Sequence, residues 1–243
     1  MAGSMLMAFQ SVILLVILRR TMDLAAAGIF TIANANANLF LTVGKFGMKN
    51  FQVSDVKKQF GFAEYRCSRW ISSAAMIAVS CVYVLIASIK NGYSAEKSMI
   101  IIWMCLYKVV DAIEDVYYGE YQQKNRLDVG AKALTLRMVA TVLIFAAVVI
   151  ITRNLLVSMI ISTVATALLA FILIWTTARE FEDTRQRSPE MKRVMQLMWL
   201  CLPLFLGAFL AFYIGNAPKY SIDAILSDEL QACYGFISMP VFV

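Results

Sequence analysis

Three asparagines, Asn34, Asn36 and Asn38, sit inside an otherwise apolar stretch. Projected at ~100° per residue, Thr31, Asn34, Asn38, Thr42 and Lys45 fall on one helical face, and Asn36 points the other way. Amides and hydroxyls both donate and accept hydrogen bonds. Such a stripe suits either contacts between helices, typically worth about 0.6–2 kcal/mol each, or the wall of a hydrated cavity. Its length and one-sidedness favour the cavity. Asn36 reads as glue between helices.

A second constellation is charged. Lys108, Asp111 and Asp115 share a face at spacings i, i+3 and i+7, with Glu114 off to the side. Counted inward from Lys97, Lys108 lies about 16 Å deep at ~1.5 Å per residue, near the middle of a ~30 Å hydrocarbon core. A charge there costs roughly 2.5–3.5 kcal/mol on insertion scales, so it faces protein or water. One reading of Lys108 and Asp111 is an ion pair tying the bundle together; the other is a contact to a substrate or ion. Glu114 and Asp115 lie nearer the membrane surface, beside the interfacial tyrosines Tyr117 and Tyr118, so plain solvation is expected for both acids. Asp115 stays a candidate for the same pathway through its shared face. Arg19 and Arg20 close the first apolar run, where they either snorkel into headgroups or hold a phosphate. Gln10 is a weaker candidate, and Pro203 with Gly207 could kink a helix.

Other chemistries are disfavoured. The chain has no histidine, so zinc sites and histidine-based catalysis are not expected; no catalytic set, metal or cofactor is. Gly44-Lys45-Phe46-Gly47 lacks the spacing of a phosphate-binding loop. The five cysteines, Cys67, Cys81, Cys105, Cys201 and Cys233, form no CxxC pair and suggest no disulfide framework.

The elements that must carry these residues are membrane helices. Of 243 residues 60% are hydrophobic and only 16% charged, with a mean hydropathy of +0.71. The apolar residues come in continuous runs of about 20, the length that crosses a bilayer as a helix, rather than in the alternation of a β-barrel. The expected fold is an all-α polytopic bundle with spans at 2–18, 24–44, 71–89, 98–118, 133–151, 155–177 and 194–215. The first run is followed by its cations rather than preceded by them, so it reads as a span and not a signal peptide. An eighth run from Leu230 to Val243 is too short to cross, and the sequence is expected to be a fragment that stops inside a helix.

The net charge of +6 is not a nucleic-acid signal, because the cations sit in short loops. Lys45, Lys49, Lys57, Lys58, Arg66 and Arg69 share one side with Lys124, Arg126, Lys132 and Arg137 and with Arg179, Arg185, Arg187, Lys192 and Arg193. The other side has Arg19, Arg20, Lys90, Lys97, Arg153 and Lys219. The richer side, and the amino terminus with it, is expected in the cytoplasm. The tight connection at Thr152 to Asn154 should make its two helices antiparallel neighbours.

Several stretches carry a family likeness: residues 28–34 (GIFTIAN) and 44–56 (GKFGMKNFQVSDV), residues 115–123 (DVYYGEYQQ) with Arg126-Leu127-Asp128, and residues 216–223 (NAPKYSID) leading to 231–235 (QACYG) and Met239-Pro240. Together these resemble the Wzx-like polysaccharide biosynthesis proteins of bacteria, in the multidrug, oligosaccharidyl-lipid and polysaccharide exporter superfamily. The resemblance implies twelve to fourteen helices in two lobes around a central cavity. It implies movement of an undecaprenyl-diphosphate-linked oligosaccharide across the cytoplasmic membrane by alternating access, coupled to an ion such as H+ or Na+. Residues 1–178 would be the amino-terminal lobe, 179–193 a cytoplasmic inter-lobe loop and 194–243 the start of the second lobe, most of which is missing here. Asn34 and Asn38 would then meet sugar hydroxyls, and Lys108 or Lys45 the diphosphate. A drug or small-cation antiporter of the same superfamily is the alternative. A membrane glycosyltransferase or polymerase is disfavoured, since the outer loops are short and their only acids are Asp23, Glu96, Asp223, Asp228 and Glu229.

Overall fold

A computed structural model of the chain describes residues 2–55, 57–178 and 188–242, with side chains from 10 to 238. Every regular element among them is helical: α1 (Ala2–Thr21), α2 (Leu24–Lys45), α3 (Met48–Ser54), α4 (Phe62–Asn91), α5 (Ala95–Gln123), α6 (Leu127–Thr152), α7 (Leu155–Ala178), α8 (Met191–Ile225) and α9 (Asp228–Phe242). Five of these, α2, α4, α6, α7 and α8, are long and apolar enough to cross a membrane. The protein is an all-α, membrane-embedded helical bundle.

Helix α5 coincides with the fourth expected span but is set apart by its charges. It is sheathed by α2, α3, α4, α6 and α7, which is how a helix with ionised groups at membrane depth is accommodated. Helix α2 is the other central element, packed on α5, α4, α8, α9 and α1. The outer helices α6, α7 and α8 instead leave large apolar side chains such as Leu143, Phe171 and Trp199 exposed, as suits a surface turned to lipid.

Local sequence sets the ends. Asp23 caps α2 by accepting from the Ala26 N–H at 2.9 Å, and Ser94 caps α5 by accepting from the Lys97 N–H at 3.1 Å. At the other end of α2, Phe46 and Gly47 both take left-handed backbone, φ 47° and 67°, and turn the chain directly into α3. Arg153, also left-handed at φ 47°, ends α6, and α7 begins two residues later. The two helices pack side by side, as so short a connection requires.

The helices overrun several expected limits. Helix α4 starts at Phe62 rather than 71, α6 at Leu127 rather than 133, and α8 runs from Met191 to Ile225 rather than 194–215, with Pro203 and Pro218 inside it. Polar turns extend each helix beyond its apolar run. Helix α3 lies in what read as a loop. Of the expected 179–193 connection, residues 179–187 lie outside the described residues, as does Val56 of the 44–56 motif. Residues 228–242 form α9, which lies along α2. A Cβ on Gly28 would come within 1.8 Å of the Asp228 carbonyl oxygen, and one on Gly235 within 2.8 Å of Thr31 Oγ1. Glycine is what lets the two backbones approach.

Candidate functional site

The polar stripe of α2 is the accessible side of a buried helix. Between Phe30 and Gly44 every position is buried except Asn34, Asn38 and Thr42, and Lys45 continues the same half-buried line. Asn38 donates to the Asn34 carbonyl at 2.9 Å and to its Oδ1 at 3.0 Å, and Thr42 donates to the Leu39 carbonyl at 2.6 Å. These bonds stay within α2, so the stripe is not a seam of hydrogen bonds to a neighbouring helix. Thr31 differs from the rest: it is buried, bonded to the Ala27 carbonyl and pressed against Gly235 of α9. It closes the line where α9 crosses. Asn36, on the opposite side, is fully buried beside the Tyr83 phenol with no well-formed hydrogen bond.

The charges of α5 form a buried chain with α6. Lys108 Nζ lies 3.2 Å from Asp111 Oδ2 and 5.5 Å from the centre of the Tyr107 ring. The other oxygen of Asp111 meets Arg137 at 2.7 Å, and Arg137 Nε lies 2.7 Å from Glu114, which also accepts from the Tyr118 hydroxyl at 3.0 Å. Two cations and two carboxylates thus alternate with almost no exposure; Arg137 and Glu114 are each only 1% accessible. Nearby, the Tyr107 hydroxyl accepts from Gln10 of α1 at 2.5 Å, which ties α1 to the same helix.

Asp115 begins a second cluster where α2, α3, α4 and α5 converge. Arg69 of α4 donates to Asp115 at 3.0 Å and to the Gly44 carbonyl at 2.7 Å, and Ser72 donates to that same carbonyl. Lys45 and Lys49 approach the other oxygen of Asp115 at 3.9 and 3.8 Å. Both lysines are about one-third exposed while Arg69 is sealed. The accessible line of α2 therefore ends at two reachable ammonium groups held beside a buried carboxylate.

Several expectations are corrected here. Glu114 and Asp115 are not solvated at the interface; both are buried in ion pairs, because α3, α4 and α6 cover that end of α5. Arg69 and Arg137, counted among loop cations, lie inside α4 and α6 and are buried. Arg69 precedes its apolar run and Arg137 stands near the start of its own, where each looks like a loop cation, which hid these partners of Asp115 and Asp111. Lys49, in sequence a topology marker within the 44–56 stretch, joins this cluster through α3.

Arg19 and Arg20 stand apart. They are exposed in the last turn of α1, where the helix dipole favours cations. At the bundle end away from α3, Lys97 of α5 lies 2.8 Å from Asp223 of α8 and 2.7 Å from Asp228, the first residue of α9. The Tyr93 hydroxyl also donates to Asp223, and Lys97 sits over the Tyr93 ring at 4.5 Å. Burial and the Asp223 carboxylate push the Tyr93 phenol above its ordinary pKa, so it remains a donor. Nothing in the sequence paired these residues, which are over a hundred positions apart.

The fold and this arrangement define a class: a polytopic helical membrane protein with, among the described residues, three buried charge clusters and an accessible polar line on α2. No protein family, curated protein or solved structure matches the chain.

Proposed function

We propose that this bundle serves in a flippase that carries an undecaprenyl-diphosphate-linked oligosaccharide across the bacterial cytoplasmic membrane for cell-surface polysaccharide, including lipopolysaccharide, assembly. The observation that carries the reading is the α2 line: between Phe30 and Gly44 the reachable side chains are Asn34, Asn38 and Thr42, and the line continues to Lys45 and, on α3, to Lys49. Sugar hydroxyls match amides that donate and accept. A diphosphate matches ammonium groups as point charges. The tail stays in lipid while the polar part follows the line. With the cation-rich loops in the cytoplasm, Lys45 and Lys49 lie at the loading side, and Asp115 holds them until the diphosphate arrives. The chain from Lys108 to Glu114 fixes α5 against α6 and supplies the carboxylates on which a coupling proton or sodium ion would act.

Those carboxylates favour a second reading, a small-cation antiporter in which Asp111 or Glu114 binds the cargo. The two are separated in a strain lacking its own flippase and expressing the full chain. Restored surface glycan, lost in the Asn34→Ala/Asn38→Ala double variant at normal membrane levels, supports the flippase. Unchanged glycan export in the double variant rejects the role given to α2. Efflux of a fluorescent organic cation that needs Asp111, with no glycan phenotype, points to the antiporter.

A further inference from the structure

Helix α5 turns a second, quite different face outward. Its half-buried positions Trp103, Leu106, Val110, Ile113 and Tyr117 recur every three or four residues, opposite the face that holds Lys108 and Asp111. At ~1.5 Å per residue this strip runs about 21 Å, longer than the ~15 Å that each leaflet contributes to a ~30 Å core. Helices α4 and α7 flank it without packing closely on one another. The lower part of the strip, Val110, Ile113 and Tyr117, lines a cavity of about 740 Å³ between α4, α5 and α7. Its rims are the exposed aromatics Trp70, Phe171 and Trp175, and the small residues Ala167 and Ala170 leave its width open. Its charged lining residues are Arg66, which stands beside the Tyr117 phenol at one mouth, and Glu114, whose carboxylate is 1% accessible and neutralised by Arg137.

We propose that this groove is a binding site for an anionic phospholipid, phosphatidylglycerol, with one acyl chain along α5 and its phosphate on Arg66. The cavity wall is too apolar for a compact polar ligand, the apolar strip of α5 continues it toward Trp103, and the groove opens among side chains already turned to lipid. A guanidinium is matched to phosphate by its forked donors, and basic sites between membrane helices take anionic headgroups. A phosphatidylglycerol head adds no ammonium to repel the arginine. This face of α5 lies opposite Lys108 and Asp111 and meets the charge chain only at Glu114, which is buried and held by Arg137, so the site is independent of what the protein transports.

The test uses the full chain in phosphatidylethanolamine vesicles containing increasing fractions of phosphatidylglycerol brominated on its acyl chains, read by tryptophan quenching. One background, Trp103→Phe/Trp199→Phe, keeps the groove residues Trp70 and Trp175. A reference background keeps Trp199, which is exposed on α8, and reports ordinary lipid contact. The groove tryptophans should reach half-quenching at a brominated-lipid fraction severalfold below that for Trp199. Arg66→Gln should move the groove curve onto the reference, and so should Ala167→Phe, which fills the groove and leaves the arginine in place. If Arg66→Gln does not fold, Ala167→Phe decides. Coincident curves in the starting backgrounds, unquenched groove tryptophans, or a groove curve that a folded variant leaves unmoved would overturn the site.

Discussion

At the scale of residues, the buried chain Lys108–Asp111–Arg137–Glu114 is asymmetric in a way that mutation can expose. Arg137 serves two carboxylates, whereas Lys108 serves one that Arg137 also holds. Removing one partner of a buried ion pair typically costs about 3–5 kcal/mol, because the remaining charge has no water to return to. Arg137→Gln leaves Glu114 without its cation and Asp111 with Lys108 alone, and should cost about that much, read as a lower thermal midpoint of the purified protein. Lys108→Met leaves Asp111 with Arg137 and should lower the midpoint much less; equal losses would show that Arg137 is not the hub. Asn34 and Asn38 should behave oppositely. They are half-buried and bonded within their own helix, so Asn34→Ala/Asn38→Ala should change stability by about 1 kcal/mol or less and, on the proposed function, should abolish glycan export. A large fall in the midpoint would make the asparagines structural rather than functional.

At the scale of elements, the closeness of α2 and α9 rests on glycine. A methyl group at Gly28 would collide with the backbone of Asp228, not with a movable side chain, so Gly28→Ala must drive the helices apart. Gly207, in α8, has open space around it; Gly207→Ala removes a helix-destabilising glycine and should stabilise by up to about 1 kcal/mol. Unfolding of the two variants side by side checks this, with opposite signs expected. The same elements show what the sequence made legible. The face of α2 could be read because a strong 3.6-residue pattern lies within one helix, and Lys108 with Asp111 because three residues is less than one turn. Arg137 and Arg69 could not. Each stands at or just before the start of its apolar run, where a buried guanidinium and a loop cation look alike, and its carboxylate partner lies on another helix. The solvation expected of Glu114 and Asp115 failed for the same reason: a single helix does not reveal which neighbours cover it. Helix α3 is too short and too polar to leave a hydropathy signal.

At the scale of the molecule, the two ends of the bundle are closed by different devices, and this carries a prediction about access. The α3 end is held by Arg69 and Asp115, and by Arg193 of α8, which reaches the Gln59 carbonyl. The opposite end is held by Lys97, which joins the start of α5 to the end of α8 and the start of α9 through Asp223 and Asp228. Lys97 and Asp223 have side chains only 10% and 2% exposed, so their pairing is little screened by solvent. A protein that exposes the α2 line alternately to the two sides must release one closure while keeping the other. Lys97→Met removes the ammonium from two carboxylates and leaves them repelling across the α8–α9 junction. On the orientation of the proposed function, which turns the Lys97 end outward, a membrane-impermeant thiol reagent added to intact cells, with the five native cysteines replaced and a reporter placed by Asn38→Cys, should label position 38 slowly in the parent and markedly faster in Lys97→Met. Arg193→Gln, which loosens the other end, should not raise labelling from outside. An unchanged rate in Lys97→Met would mean that the ion pairs at that end fasten helices without governing access to the polar line.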